Sequence, residues 1–126
     1  VQTYIDAWNA RDAAAIVACF ADGGTYEDPA TGGPLAGEAI GEMARQLWAS
    51  FPDLTFTLLG VAGSGPDTLA FEWRMAGTNH GPFAGLPPTG KPIAIDGVDF
   101  VRLDPDGRIR SLRGHFDSGI IPRQLG

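Results

Sequence analysis

The chain has 126 residues, a length that suits one domain with one hydrophobic core. Its 15 acidic and 9 basic side chains give a net charge of −6, which argues against nucleic acid or a membrane surface as a partner, because binding phosphate groups requires clustered basic residues. A single cysteine excludes a disulfide framework and a thiolate zinc site. No apolar stretch approaches 18 residues and no signal peptide is recognisable, so we expect a cytoplasmic protein.

The first part of the chain predicts three helices. Apolar side chains recur at helical spacing over 1–12, which predicts the first helix. Asp12 is a suitable cap for a second helix over 13–21, which should end at the Asp-Gly-Gly that follows. After a short strand and a loop rich in glycine and proline, the third helix is expected over 38–51, where a proline ends it.

The rest of the chain predicts an antiparallel sheet. The strands are expected at 54–62, 68–76, 91–103 and 108–116, with turns at 63–67 and 104–107 and a long loop over 77–92. Helices followed by strands are typical of an α+β domain with helices on one face of the sheet. The loop over 77–92 is long for a compact domain, and loops of that length are often functional.

Two carboxylates fall on apolar faces of predicted strands. Because side chains alternate along a strand, Asp28 shares a face with Tyr26, although an Asp directly before a proline is also a common turn residue. Asp99 interrupts a row of aliphatic side chains, where desolvation should raise its pKa. It could equally be a hydrogen-bonded structural acid, or be turned outward by a bulge at Gly97.

Three segments, "TYIDAW", "CFADGGTYEDPATGGPLAG" and "IDGVDFVRLDPDGRI", resemble Δ5-3-ketosteroid isomerase of the nuclear transport factor 2-like superfamily. The resemblance implies one domain over 1–126, folded as a cone-like α+β barrel with three N-terminal helices on a curved antiparallel sheet. It maps the family's catalytic tyrosine onto Tyr4, the general base onto Asp28 and the protonated acid onto Asp99.

Such an enzyme shifts a C=C bond of a 3-ketosteroid from the β,γ to the α,β position. Asp28 would carry the proton, while Tyr4 and Asp99, on the other side of the cavity, stabilise the dienolate. The implied partner is an apolar small-molecule ketone, and no cofactor or metal is required. Candidate substrate-binding residues are Phe71, Trp73 and Phe116, although the strand residues among them could also be plain core.

Other features resemble the SnoaL-like polyketide cyclases, namely the loop over 77–92 and the ending "FDSGIIPRQLG". In those cyclases an aspartate near the end is an acid/base, which maps onto Asp117, with His115 on the same strand face. A plain surface pair is the competing interpretation. The alternatives are therefore a cyclase that closes a ring by aldol addition, or a non-catalytic binder of the same fold, which an exposed Asp28 far from Asp99 would favour.

The predicted outer sheet face carries more apolar side chains than contact with solvent requires. Val98 and Phe100 lie there, together with Ala70 and Ala94. With the family resemblance, this predicts a homodimer formed through that face.

Overall fold

A curved sheet of six strands forms the frame of the molecule. The computed structural model describes residues 1–63 and 65–126. The helices are α1 (Gln2–Asn9), α2 (Ala13–Ala18), α3 (Glu38–Ser50) and α4 (Ile120–Leu125). The strands are β1 (Phe20–Glu27), β2 (Leu35–Ala36), β3 (Thr55–Gly63), β4 (Thr68–Thr78), β5 (Pro92–Leu103) and β6 (Ile109–His115). Across the two described ranges, every helix is too short or too polar to cross a membrane.

The strand order is β2-β1-β6-β5-β4-β3. All neighbouring pairs are antiparallel except β1 and β6, which run parallel. The α+β class, the three N-terminal helices and the turn at 104–107 are confirmed, while the parallel pair corrects the expectation of a wholly antiparallel sheet. The turn predicted at 63–67 includes Ser64, which lies outside the described residues.

The inner sheet face and the helices share one hydrophobic core. Along β5 every second residue from Ile93 to Val101 is buried, as the alternation predicted. Phe71, Trp73 and Met75 form the corresponding buried row of β4. The same alternation places Asp99 inside the apolar row.

Helix α2 is shorter than predicted, because the chain enters the sheet soon after it. Phe20 already pairs with Ile109 of β6, whose amide donates to the Cys19 carbonyl at 2.8 Å. The Asp-Gly-Gly expected to end the helix therefore lies within β1, where the register against β6 shifts. A Cβ on Gly24 would overlap the Ile109 carbonyl oxygen, so glycine allows the two strands to approach.

The sequence did not predict α4, whose proline stands in the first turn, where no backbone N–H is needed. Gln124 of α4 bonds the amide and the carbonyl of Ala94, both at 2.9 Å, on the part of β5 that β6 does not reach. Asn9 of α1 makes the same two bonds to Phe56 on the edge strand β3, at 2.8 and 2.9 Å. Side-chain amides therefore satisfy the open sheet edges at both places.

The loop between β4 and β5 is fastened at its base by Asn79, which is 1% exposed. The Asn79 side chain accepts from the amide and the hydroxyl of Thr89, at 2.8 and 3.0 Å, and donates to the Gly81 carbonyl at 2.8 Å. Ser50 of α3 donates to the Pro82 carbonyl at 2.6 Å. These bonds fix the loop against the end of α3.

Candidate functional site

A cavity of about 680 Å³ lies between the inner sheet face and the helices, a size typical of small-molecule sites. Its aromatic lining consists of Tyr4, Trp8, Tyr26, Phe56, Phe71, Trp73, Phe83 and Phe116. Its acidic side chains are Asp28, Glu42 and Asp99. Within the described chain no lysine, arginine or histidine lines it. This lining suits an apolar ligand without negative charge.

Asp99 lies on β5 in the cavity wall and is 6% exposed. The indole Nε1 of Trp73 donates to its Oδ1 at 3.0 Å. Burial raises the pKa of Asp99 to about 7, against a lowering by the Trp73 hydrogen bond and with a further increase from the charge of Asp28. The inward orientation predicted for Asp99 is confirmed, and an outward turn at a bulge is excluded.

Asp28 lies directly after β1, where strand and turn meet. The Tyr26 hydroxyl donates to Oδ2 of Asp28 at 2.6 Å, and the Ala30 amide donates to Oδ1 at 2.7 Å. Both interpretations of Asp28 therefore hold: it forms a turn with its own backbone, and it also lies on the face of Tyr26 and lines the cavity.

The two carboxyl groups are neighbours. Gly114 of β6 stands opposite Asp99 in the sheet register. A Cβ on Gly114 would lie 3.0 Å from Oδ1 of Asp99 and 3.3 Å from Cβ of Asp28. The absent side chain of Gly114 leaves room for both Asp28 and Asp99.

Tyr4 reaches this wall from α1 and is 5% exposed. Its ring packs edge-on against Phe20 and Phe71, with centroid distances of 6.1 and 6.2 Å. Phe71 is the residue opposite Asp99 in the register of β4 and β5. Burial, and then the charge of Asp99, raises the pKa of the Tyr4 phenol well above its ordinary value, so Tyr4 remains a hydrogen-bond donor. Tyr4, Asp28 and Asp99 thus line one cavity.

The three residues named as substrate-binding candidates, Phe71, Trp73 and Phe116, all line the cavity. Trp73 and Phe116 are in edge contact at 6.0 Å. Sequence reasoning missed two donors, the indole of Trp73 and the hydroxyl of Tyr26. The Tyr26 contact could have been found, since strand alternation already placed it on the face of Asp28, whereas the Trp73 contact depends on the register of β4 and β5.

Asp117 and His115 do not line this cavity. Asp117 is exposed, forms an ion pair with Arg123 and accepts the Gly119 amide at 2.9 Å. These hydrogen bonds, the one from Arg123 first, lower the pKa of Asp117. His115 is exposed and stands opposite Val98 on the outer sheet face. The Asp117 carboxylate thus stabilises the turn that begins α4, and its ion-pair partner is Arg123 rather than His115.

Solved structures share this architecture. IdmH from Streptomyces antibioticus, a candidate polyketide cyclase, is 27% identical to this chain, with 99% of this chain and 94% of IdmH covered and a TM-score of 0.84. A candidate SnoaL-like polyketide cyclase from Jannaschia sp. CCS1 is 20% identical, with 98% and 89% covered and a TM-score of 0.81. A protein with a ketosteroid isomerase-like fold from Catenulispora acidiphila, solved with trimethylamine, is 22% identical, with 99% and 90% covered and a TM-score of 0.85.

The sequence itself also matches a family model. The model describes the SnoaL-like domain, and it matches residues 1–112, which include all the helices and strands that hold Tyr4, Asp28 and Asp99. The chain belongs to the SnoaL-like domain family, within the nuclear transport factor 2-like superfamily.

Proposed function

We propose that the protein is a cofactor-independent enzyme that moves a proton at the carbon next to the carbonyl group of an apolar ketone. The observation that carries this proposal is the adjacent pair Asp28 and Asp99 in an aromatic cavity. One carboxylate is hydrogen-bonded twice and the other is desolvated, an arrangement that separates a base from an acid. A non-catalytic binder is less well supported, because Asp28 is partly buried and adjacent to Asp99.

Each side chain has a definite part in this reaction. The Asp28 carboxylate takes the α-proton, the C–H electron pair forms the C=C bond of an enolate, and the carbonyl π electrons move onto oxygen. The Tyr4 hydroxyl and the neutral carboxyl group of Asp99 donate hydrogen bonds to that oxygen. The aromatic walls keep water away, which strengthens both bonds.

The first reaction that we propose is ring closure of a polyketide. Membership of the SnoaL-like family and the 27% identity to IdmH support it. The enolate carbon would attack a second carbonyl of the same molecule, and the new alkoxide would take the proton held on Asp28. This version needs no part for Asp117, in keeping with its ion pair outside the cavity.

Steroid Δ-isomerisation is the second candidate reaction. It is supported by the resemblance of the segments that contain Tyr4, Asp28 and Asp99 to Δ5-3-ketosteroid isomerase. Asp28 would return the proton to the γ-carbon of the dienolate, so that the double bond becomes conjugated with the ketone. The two reactions share their first step and differ in where the enolate reacts.

The experiment offers the protein two substrates in parallel. With a β,γ-unsaturated 3-ketosteroid, isomerisation appears as conjugated-enone absorbance. With a linear polyketide-type diketone, aldol closure appears in liquid chromatography as a new product of unchanged mass. We expect turnover of at least one, its loss in Asp28→Asn and its retention in Asp117→Asn, a matched control outside the cavity. Turnover of neither substrate, or full activity of Asp28→Asn, would contradict the proposal.

A further inference from the structure

The indole of Trp73 occupies space that a side chain at position 97 would need. Trp73 faces Gly97 directly in the register of β4 and β5. A Cβ on Gly97 would overlap one carbon of the indole, lie 2.6 Å from a second and lie 2.9 Å from the His115 carbonyl oxygen. Because position 97 has no side chain, the indole can extend over β5 towards Asp99, the next residue on the same face.

The hydrogen bond between Trp73 and Asp99 has a fixed direction. An indole N–H can only donate, so Oδ1 of Asp99 is the acceptor of the 3.0 Å bond from Trp73. The carbonyl oxygen of a carboxylic acid is a better acceptor than its hydroxyl oxygen. When Asp99 is neutral, its proton therefore belongs on Oδ2.

We propose that Trp73 is a positioning residue that holds the proton of Asp99 on Oδ2, and that Gly97 is the residue that gives the indole its place. The inference rests on the proposed function, in which Asp99 donates a hydrogen bond to an enolate oxygen. Nothing in the described chain forms a hydrogen bond to Oδ2, which leaves that oxygen for a ligand. Without Trp73 the neutral acid could place its proton on either oxygen.

The groups packed around Asp99 are few. Tyr4 faces it from α1, and Asp28 and Tyr26 from β1 and the turn after it, while Glu42 of α3 lines the same cavity. The neighbour on β6, Gly114, has no side chain, and β4 contributes Trp73. The carboxylate of Asp28 opposes ionisation of Asp99, whereas the indole N–H favours it. Removing the indole should therefore raise the pKa of Asp99.

The first test needs no substrate. Aspartate side chains are labelled with 13C, the Asp99 carboxyl signal is assigned with Asp99→Asn, and its titration is followed by NMR. We expect the midpoint, near 7 in the unmodified protein, to rise by about one pH unit in Trp73→Phe, since one hydrogen bond to the ionised form is lost. Trp48→Phe is the matched control, because Trp48 lies on α3 and does not line the cavity. A midpoint that stays or falls in Trp73→Phe would overturn the inference.

Gly97→Ala tests the same idea by displacement of the indole. It should raise the Asp99 midpoint in the same direction, yet add little in the Trp73→Phe background, since phenylalanine lacks the indole carbons that approach position 97. Additive shifts would count against the inference.

A third test uses only the unmodified protein, so it does not depend on the folding of a variant. The indole 1H–15N signal of Trp73 should titrate with the midpoint of Asp99. An indole signal that does not respond to pH would overturn the inference as well.

Kinetics separate this inference from the proposed function. With an active substrate, turnover of the unmodified protein should fall as the pH rises through about 7, the pKa of Asp99. Trp73→Phe should shift that fall to higher pH and should lower kcat. NMR shifts as expected, together with no turnover of any ketone, would refute the proposed function alone. Turnover whose pH profile is the same in Trp73→Phe would refute the role of Trp73 alone.

Discussion

Asp28 and Asp99 carry the same chemical group in two different environments. Asp28 accepts two hydrogen bonds and is only partly buried, whereas Asp99 accepts one and is 6% exposed. Desolvation favours the neutral form of Asp99 and raises its pKa. In the proposed reaction Asp28 is the base and Asp99 is the acid.

The two carboxyl groups should differ in how strongly their substitution lowers kcat. Asp28→Asn should lower kcat by roughly 10²–10⁴-fold, because it removes the general base. Asp99→Asn should cost less than the roughly 10²–10³-fold typical of a lost oxyanion donor, since an amide still donates. Steady-state kinetics on one active ketone check this, with Asp117→Asn as the control. A larger loss in Asp99→Asn than in Asp28→Asn would reverse the assignment.

Asp99 should also make folding depend on pH. Its pKa is raised from 3.8 to about 7 on folding, so the folded state holds this proton more tightly than the unfolded state. The free energy of unfolding should therefore decrease as the pH rises from about 4 to 7, by up to about 4 kcal/mol from this group. Asp99→Leu should abolish that decrease, because leucine binds no proton.

Urea unfolding at pH 4.5 and 7.5 measures this effect in both proteins. The stability of Asp99→Leu relative to the unmodified protein should be greater at the higher pH. If the difference between the two proteins is the same at both pH values, Asp99 does not bind its proton in the folded state as described.

Part of the site could be predicted from single residues. Strand alternation placed Asp99 in an apolar row and Asp28 on the face of Tyr26, although a bulge at Gly97 and a turn at Asp28 were open alternatives. The contact between Trp73 and Asp99, and the approach of Asp28 and Asp99 to Gly114, depend on the register of four strands. Alternation fixes which face a side chain takes, but register decides which neighbour it meets.

At the scale of elements, the loop between β4 and β5 depends on one buried amide. Asn79→Ala would leave the Gly81 carbonyl and the Thr89 amide without their partners, so we expect a loss of roughly 1–3 kcal/mol in the free energy of unfolding. Thr89→Ala is the matched control: it removes the hydroxyl but keeps the amide bond to Asn79, and should cost less. Urea denaturation measures the free energy of unfolding of both variants. Equal losses in the two would show that the Asn79 side chain does not fix the loop.

The elements that the sequence predicted are the three N-terminal helices, the second of them marked by its Asp12 cap, and the four long strands. The short α4 was missed because its six residues form a helix only with tertiary support, which Ile121 supplies by burial and Gln124 by its bonds to β5. The parallel pairing of β1 with β6 was missed because the sequence predicts Phe20 as part of the second helix. Only its pairing with Ile109 places it in the sheet.

At the scale of the whole molecule, the outer sheet face predicts association of two copies. Val98 and Phe100 are 38% and 41% exposed there. The same face carries both signs of charge, as in the ion pair of Arg74 with Asp96, and a two-fold interface requires a surface that complements itself. We therefore expect a homodimer at micromolar concentration.

Sedimentation velocity tests this assembly. Phe100→Glu should yield monomers, whereas Leu86→Glu should remain dimeric, because Leu86 is 67% exposed on the loop between β4 and β5 rather than on the sheet. A monomeric unmodified protein, or a dimer that persists in Phe100→Glu, would refute the predicted interface.

The central claim is that Asp28 and Asp99 together exchange a proton with the carbon beside a ketone. Deuterium incorporation into an apolar ketone in D₂O, measured by mass spectrometry between pH 5 and 9, tests it most directly. We expect catalysed exchange that falls as the pH rises through about 7, where Asp99 loses its proton, and that is lost in Asp28→Asn. Exchange that increases with pH throughout this range, or that continues unchanged in Asp28→Asn, would contradict it.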